Sequence, residues 1–229
     1  MLRAMANRKA KLVRALDGQV ALVTGGGKGY GRAVALALAA RGVRVVVTGR
    51  VERALGETVG EIANAGGKAR HLAGDVRDAA HLRAAVARAI DVFGALDIVI
   101  ATASLSGPEA LDARVTFDAA LAAMTGTGRL VAVRAQHSHD AHDATPPGAS
   151  PDAANEARWQ SSTSAPARDV AARGITSNAV TVVQPQEAPL GVDHEKASVE
   201  PEEVAEIVVF LCSSAANAIS GQALVLGAV

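Results

Sequence analysis

The sequence predicts an α/β fold in which helices pack on a parallel sheet. Two observations carry this prediction: short apolar runs alternate with helix-patterned segments, and the run 43–48 is β-branched apart from Arg44. A continuous β-branched run is typical of a strand buried on both faces, and strands that alternate with helices form βαβ units. The 229 residues suffice for one such domain with a full core, and they show no internal repeat.

The first half of the chain alternates strands and helices regularly. The predicted strands cover residues 20–23, 43–48, 68–72 and 96–102, and the predicted helices cover 32–40, 52–65 and 78–93. The second helix runs into Gly66-Gly67, a glycine stop that is typical of helix C-termini.

The second half is less regular. We expect a helix over 110–124, strands over 128–133 and 175–183, a helix over 202–213 with acidic residues at its N-terminus, and a last strand over 224–226. A loop is predicted over 135–152, followed by a poor helix that Pro166 interrupts. Residues 1–16 form a predicted basic arm, either solubilising or binding an anionic surface as an amphipathic helix, and residues 17–229 form a single domain.

A glycine-rich stretch from Thr24 to Gly31 lies between the first strand and the first helix. Its spacing is Thr-Gly-x-x-x-Gly-x-Gly, which differs from the Gly-x-Gly-x-x-Gly and Walker A patterns. Glycines allow backbone N–H groups to approach a ligand closely, and a helix N-terminus adds a positive dipole end. The stretch therefore favours a nucleotide phosphate site over an ordinary turn.

Composition excludes several other function classes. The formal net charge is +0, which gives no support to nucleic-acid binding, and no apolar run is long enough to span a membrane. The single cysteine, Cys212, excludes a disulfide framework, is more typical of core than of a nucleophile, and fits a cytoplasmic protein. The single tyrosine, Tyr30, lies inside the glycine stretch.

The motifs, taken together and in order, resemble the short-chain dehydrogenase/reductase family. The matching pieces are the glycine stretch 24–31, Gly74-Asp75-Val76, Leu96-Asp97-Ile98-Val99, Gly128-Arg129-Leu130-Val131, Arg173-Gly174-Ile175, Asn178-Ala179-Val180 and Ile219-Ser220-Gly221-Gln222. The resemblance implies a single Rossmann-type doubly wound parallel sheet of about seven strands. The chain departs from the family's pattern in two places: the segment before Gly128 is too short for the full central helix, and the loop after Asn178-Ala179-Val180 lacks much of the substrate lid.

The same resemblance implies a set of cofactor-binding residues: Thr24, Gly25, Gly27, Lys28, Gly29, Gly31, Arg50, Asp75 and Val76. The second strand ends at Arg50 with no acidic residue there for the ribose hydroxyls. Two cations, Lys28 and Arg50, favour a 2′-phosphate and hence NADP(H) over NAD(H), if a cofactor binds at all. Whether binding has been retained is left open, as is the alternative that Arg50 is only a surface residue.

The family's catalytic residues have no counterparts. Ala101-Thr102-Ala103-Ser104 replaces Asn-Asn-Ala-Gly, and the place of the family's serine falls at Ala135 or beside it. Counting back from Gly174, the positions of the Tyr-x-x-x-Lys pair hold Asp152 and Glu156. Carboxylates there would repel developing negative charge instead of stabilising it.

A histidine-rich segment follows the fifth predicted strand. His137, His139 and His142 lie close to Asp140 and Asp143. They could bind zinc or provide a general acid, although the spacing matches no zinc motif, and a polar loop without function explains them equally well. We therefore predict no metal site and treat the three histidines as weak catalytic candidates.

Two functional hypotheses follow. The first is a catalytically inactive, nucleotide-binding member of the family that serves as a structural or regulatory subunit, in a homo-oligomer or paired with an active relative. The alternative is an enzyme with a non-standard site at residues 137–143, either an NADP(H)-dependent ketoreductase or a non-redox lyase or cyclase.

Overall fold

A computed structural model describes residues 16–103, 113–138, 159, 167–185 and 199–227. Its strands are β1 Val20–Thr24, β2 Arg44–Gly49, β3 Ala69–Ala73, β4 Ile98–Ala103, β5 Gly128–Ser138, β6 Ile175–Pro185 and β7 Ala223–Gly227. Its longer helices are α1 Gly29–Ala39, α2 Glu52–Asn64, α3 Ala79–Phe93, α4 Ala113–Leu121 and α5 Pro201–Cys212.

The seven strands form one sheet in the order β3-β2-β1-β4-β5-β6-β7. Every pairing in it is parallel. The chain winds outward from β1 to one edge and then from β4 to the other, so the strand order reverses between β1 and β4. The predicted Rossmann-type doubly wound sheet is therefore confirmed, and its switch point lies next to the glycine stretch.

Two hydrophobic cores lie on opposite faces of this sheet. On one face, α1, α2 and α5 pack on alternate strand residues such as Val23, Val47 and Val131. On the other face, α3, α4 and Trp159 pack on the intervening residues, such as Leu22 and Leu130. Burial of both faces explains why the central strands are apolar at consecutive positions.

Several helix ends follow the chemistry of the sequence. At the start of α3, the side chain of Asp78 accepts a hydrogen bond from the backbone N–H of Ala80 at 2.8 Å. The same helix ends at Gly94, whose φ of 82° is left-handed. At the start of α5, the N–H of Glu200 donates to the Glu203 carboxylate at 3.3 Å, and Pro201 occupies the first turn.

The structure corrects the end of the fifth strand. A loop was predicted from residue 135, but β5 continues to Ser138, and β6 likewise continues to Pro185. The two strands pair from Gly128↔Ile175 to Ser138↔Pro185. The β-branched residues of β6 extend the ladder, so Ala135 lies within a strand opposite Val182.

Other predicted boundaries differ by a few residues. Helix α1 begins at Gly29 instead of 32, and α4 ends at Leu121 instead of 124. Leu16 is buried at 1% exposure in the core, although it was placed at the end of the basic arm. Residues 1–15 and most of the segment predicted as a poor helix lie outside the described residues, as does the lid region 186–198.

Within the described ranges, none of the helices combines the length and the apolar character that crossing a bilayer requires.

Gly31 of α1 lies close to the sheet, and Gly56 of α2 provides a comparison in open space. A Cβ at Gly31 would overlap the carbonyl oxygen of Gly25 and come within 3.0 Å of the Thr102 hydroxyl oxygen, whereas a Cβ at Gly56 would meet nothing within 4 Å. We expect Gly31→Ala to destabilise the fold by about 1–3 kcal/mol through overpacking. Gly56→Ala, the matched control in α2, should stabilise it by roughly 0.5–1 kcal/mol. Urea denaturation measures both, and equal effects would contradict the close approach.

Candidate functional site: a nucleotide cleft at the switch point

The glycine stretch forms the turn between β1 and α1. Gly25 and Gly29 have φ values of 65° and 52°, a left-handed region that favours glycine. Lys28 precedes the first turn of α1, and no side chain caps that turn. Its N–H groups are therefore free of a side-chain cap and lie where an anion can be bound at a helix N-terminus.

Two threonines join the glycine stretch to β4. The backbone N–H of Thr102 donates to the Thr24 hydroxyl at 3.0 Å, and the Thr102 hydroxyl donates to the Thr24 carbonyl. Thr24 is fully buried, so it supports the cleft from below. Thr102 thus has a structural role at the junction of β1 and β4.

A cleft of about 490 Å³ opens above this junction. It is lined by the glycine stretch, the end of β2, the 75–77 segment and the ends of β4 and β5, including Gly25, Gly27, Lys28, Gly29, Tyr30, Gly31, Arg50, Asp75, Val76, Arg77, Thr102, Val133 and Ala135. Every predicted cofactor residue except Thr24 therefore lies at one cleft. Their role in binding a cofactor stays a prediction.

One end of the cleft is charged. Lys28 and Arg50 are both exposed there, beside Asp75 and Arg77. The Arg77 guanidinium donates to both carboxylate oxygens of Asp75, at 3.1 and 3.0 Å from Nε, and the Arg77 backbone N–H donates at 2.9 Å. These hydrogen bonds from Arg77 lower the pKa of Asp75 to about 2.

The opposite end of the cleft is mostly apolar. Val133 and Ala135 of β5 line it, together with Thr102 and the ring of Tyr30. The Tyr30 hydroxyl accepts a hydrogen bond from Nε2 of Gln184 at the end of β6. Among the described lining residues, this end holds no paired acid and base for proton transfer.

The weak catalytic candidates do not come together in the described part of the chain. The backbone of His137 lies in β5, which contradicts its placement in a loop, whereas His139 and His142 lie outside the described residues. Over the residues described, no group of three histidine, cysteine or carboxylate side chains is arranged to hold a metal.

Cys212 is a core residue, as predicted. Its thiol lies at the end of α5, in the core on that face of the sheet, and burial raises its pKa to about 12. A thiol that stays protonated is a poor nucleophile.

The sequence-based prediction missed Arg77 and Gln184. Arg77 lies two residues after Asp75, so a local carboxylate–guanidinium pair was a detectable signal. Gln184 contacts Tyr30 across 154 positions of the chain, and no local pattern indicates such a contact.

Comparisons with known proteins agree with this geometry. A family model described as short chain dehydrogenase matches residues 19–124. The family model and the similar proteins support membership of the short-chain dehydrogenase/reductase family. The short-chain reductase protein NovJ of Streptomyces niveus is 44% identical over 87 residues, which cover 38% of this chain and 33% of NovJ. The matched stretch thus spans about a third of that curated relative's length.

Solved structures of the family match over nearly the whole length. A dehydrogenase/reductase from Sinorhizobium meliloti 1021 is 27% identical with a TM-score of 0.78, covering 95% of this chain and 97% of that one. A short-chain dehydrogenase from Burkholderia cenocepacia J2315, in complex with NADP, is 28% identical with a TM-score of 0.75, covering 93% and 98%.

The Asp75–Arg77 pair gives a direct test of the charged end. Arg77→Ala should raise the pKa of Asp75 from about 2 toward its ordinary value of 3.8, because the principal hydrogen-bond donor is lost. Since the folded-state pKa is the lower one, any stability from this pair is present above about pH 4 and lost toward pH 2. Carboxyl ¹³C NMR titration measures the pKa. Arg53→Ala, which removes an exposed guanidinium paired with Glu57, is the control and should leave it unchanged.

Proposed function

We propose that this chain binds NADP(H) at the switch-point cleft and does not itself reduce carbonyl compounds, acting as a structural or regulatory subunit. One observation carries the proposal. The cleft has a phosphate cradle and cations at one end, but Val133 and Ala135 line the other, where the chemistry would take place. The lining residues therefore suit the binding of a nucleotide better than they suit proton transfer.

The charged end fits a nucleotide with a 2′-phosphate. The first turn of α1 offers backbone N–H groups to the pyrophosphate, and a Cβ at Gly29 would meet nothing within 4 Å, so the turn is open to a ligand. Lys28 and Arg50 lie beside it and suit a further phosphate. The NADP bound to the Burkholderia cenocepacia relative supports this choice of cofactor.

The proton-transfer chemistry lacks its usual groups. When bound, NADPH supplies a hydride, and a general acid must then protonate the carbonyl oxygen. The family positions for that work hold Ala135, Asp152 and Glu156 in this chain. The family model ends at residue 124, before all three positions, so the match concerns the binding half.

The second candidate function is an NADP(H)-dependent reductase with a non-standard proton donor. It is favoured by the reductase name of NovJ, which is 44% identical over the matched stretch. Tyr30 in the cleft or a histidine of residues 137–143 would then replace the missing tyrosine.

We also propose that the chain works in the cytoplasm as an oligomer, with a second copy or with an active relative. The exposed apolar side chains of Phe210 on α5 and Val225 on the edge strand β7, 43% and 68% exposed, support an interface there. Light scattering after size-exclusion chromatography measures the oligomeric state.

Cofactor preference tests the binding part of the proposal. NADPH should bind more tightly than NADH, and Arg50→Ala should weaken NADPH binding by about tenfold while leaving NADH binding nearly unchanged, because an exposed charge-assisted contact is lost. Isothermal titration calorimetry measures the four affinities. Arg53→Ala, whose guanidinium is 85% exposed and absent from the cleft, is the matched control. Equal wild-type affinities for NADPH and NADH would refute the preference.

Activity tests the catalytic part. The purified chain should not oxidise NADPH with aldehydes, ketones or quinones, since general acid catalysis is commonly worth about 10²- to 10⁴-fold. The double variant Asp152→Tyr and Glu156→Lys should stay inactive, because the serine and asparagine positions are also changed. Absorbance at the NADPH band measures turnover. Robust turnover by the wild-type chain alone would favour the reductase instead.

A further inference from the structure

A hydrogen bond holds Tyr30, one of the residues that line the apolar end of the cleft. Nε2 of Gln184 donates to the hydroxyl of Tyr30, and the same nitrogen donates to the carbonyl of Val199 at 3.1 Å. We refer to the contact between the two side chains as the Tyr30–Gln184 bridge. Both side chains are half-buried, and the Tyr30 ring packs against the core under α1 and α5.

The bridge spans the ends of two strands. Tyr30 lies in the first turn of α1, directly after β1, and Gln184 lies at the end of β6. Strands β4 and β5 lie between β1 and β6 in the sheet. Helices α1 and α5 pack on the same face of the sheet, so the contact lies beside the N-termini of these helices. Of its two side chains, Tyr30 is the one that lines the cleft, together with Thr102 and Ala135.

A dinucleotide bound at this switch point would have to extend from the glycine stretch toward both ends of the cleft. Its pyrophosphate belongs at the glycine stretch, and its adenosine belongs at the charged end beside Arg50 and Asp75. The nicotinamide half must then point toward β4 and β5. Tyr30 lines the cleft on that side, with Thr102, Val133 and Ala135.

The bridge is held at both of its ends. Each amide N–H of Gln184 already has an acceptor, Tyr30 on one side and Val199 on the other. A ring that enters this end of the cleft meets the Tyr30 side chain, which the hydrogen bond holds in place. Moving Tyr30 aside breaks that bond and leaves half-buried polar groups without partners, which offsets the affinity gained from the ring's own contacts.

We propose that the Tyr30–Gln184 bridge restricts the cleft to the 2′-phosphoadenosine diphosphate half of NADP(H), so that the nicotinamide adds little to binding. This inference rests on the proposed function. It assigns a positioning role to Tyr30 and Gln184, which exclude a ring from the reacting end. The ligand class is thus a 2′-phosphorylated adenine nucleotide, with or without a nicotinamide.

The test compares NADPH with 2′-phospho-ADP-ribose, which lacks only the nicotinamide. By calorimetry on the full chain, the two dissociation constants should lie within about threefold of each other in the wild type. Tyr30→Ala should tighten NADPH binding at least about fivefold relative to 2′-phospho-ADP-ribose, because the space opens without loss of the charged end. Gln184→Ala removes the other partner of the bridge and should shift the ratio of the two dissociation constants in the same direction.

Each outcome decides between the two proposals. Gln222→Ala, which removes an exposed amide bonded to the Ser220 carbonyl, is the matched control and should leave the ratio unchanged. A wild-type chain that prefers NADPH by more than about tenfold, or a ratio that neither cleft variant shifts, would overturn the bridge while leaving NADP(H) binding intact. Failure of both ligands to bind would overturn the proposed function and this inference with it.

Discussion

The structure depends on the close contact of α1 with β1 and β4 at Gly31. The backbone there lies against the Gly25 carbonyl and the Thr102 hydroxyl, with no room for a side chain. The hydrogen bonds between Thr24 and Thr102 hold the two strands together at that point. This junction places an uncapped helix N-terminus at the position where the strand order reverses, and the cleft follows from it.

The cleft is asymmetric because different strands supply its two ends. The segments after β2 and β3 contribute Arg50, Asp75 and Arg77, which are exposed or half-buried and charged. The end of β5 contributes Val133 and Ala135, and β6 contributes Gln184 to the contact with Tyr30. Because the proposed binding residues and the positions of the family's chemistry lie on different strands, one set can be kept while the other is altered. The family match over residues 19–124 covers β1 to β4, which carry the proposed cofactor-binding residues.

Local contacts in the site could be foreseen, and distant ones could not. Asp75 and Arg77 are two residues apart, and the hydrogen bonds between them need only a local turn. The extent of β5 could not be foreseen, since residues 134–138 have no strand pattern of their own. They extend the strand because β6 offers Thr181, Val182 and their neighbours as partners.

By itself, the sequence determined the parallel α/β fold, the glycine stretch, the cations of the cleft and the lack of any tyrosine after Tyr30. The fold follows from the periodicity of the apolar residues, and the other features follow from which residue types occur and where they stand in the sequence. These are local or compositional properties. Only the tertiary structure decided that Thr102 supports Thr24, that Ala135 lies within a strand, and that Tyr30 meets Gln184. Each of these joins segments far apart in the chain, and such contacts are set by the packing of helices and strands into one sheet.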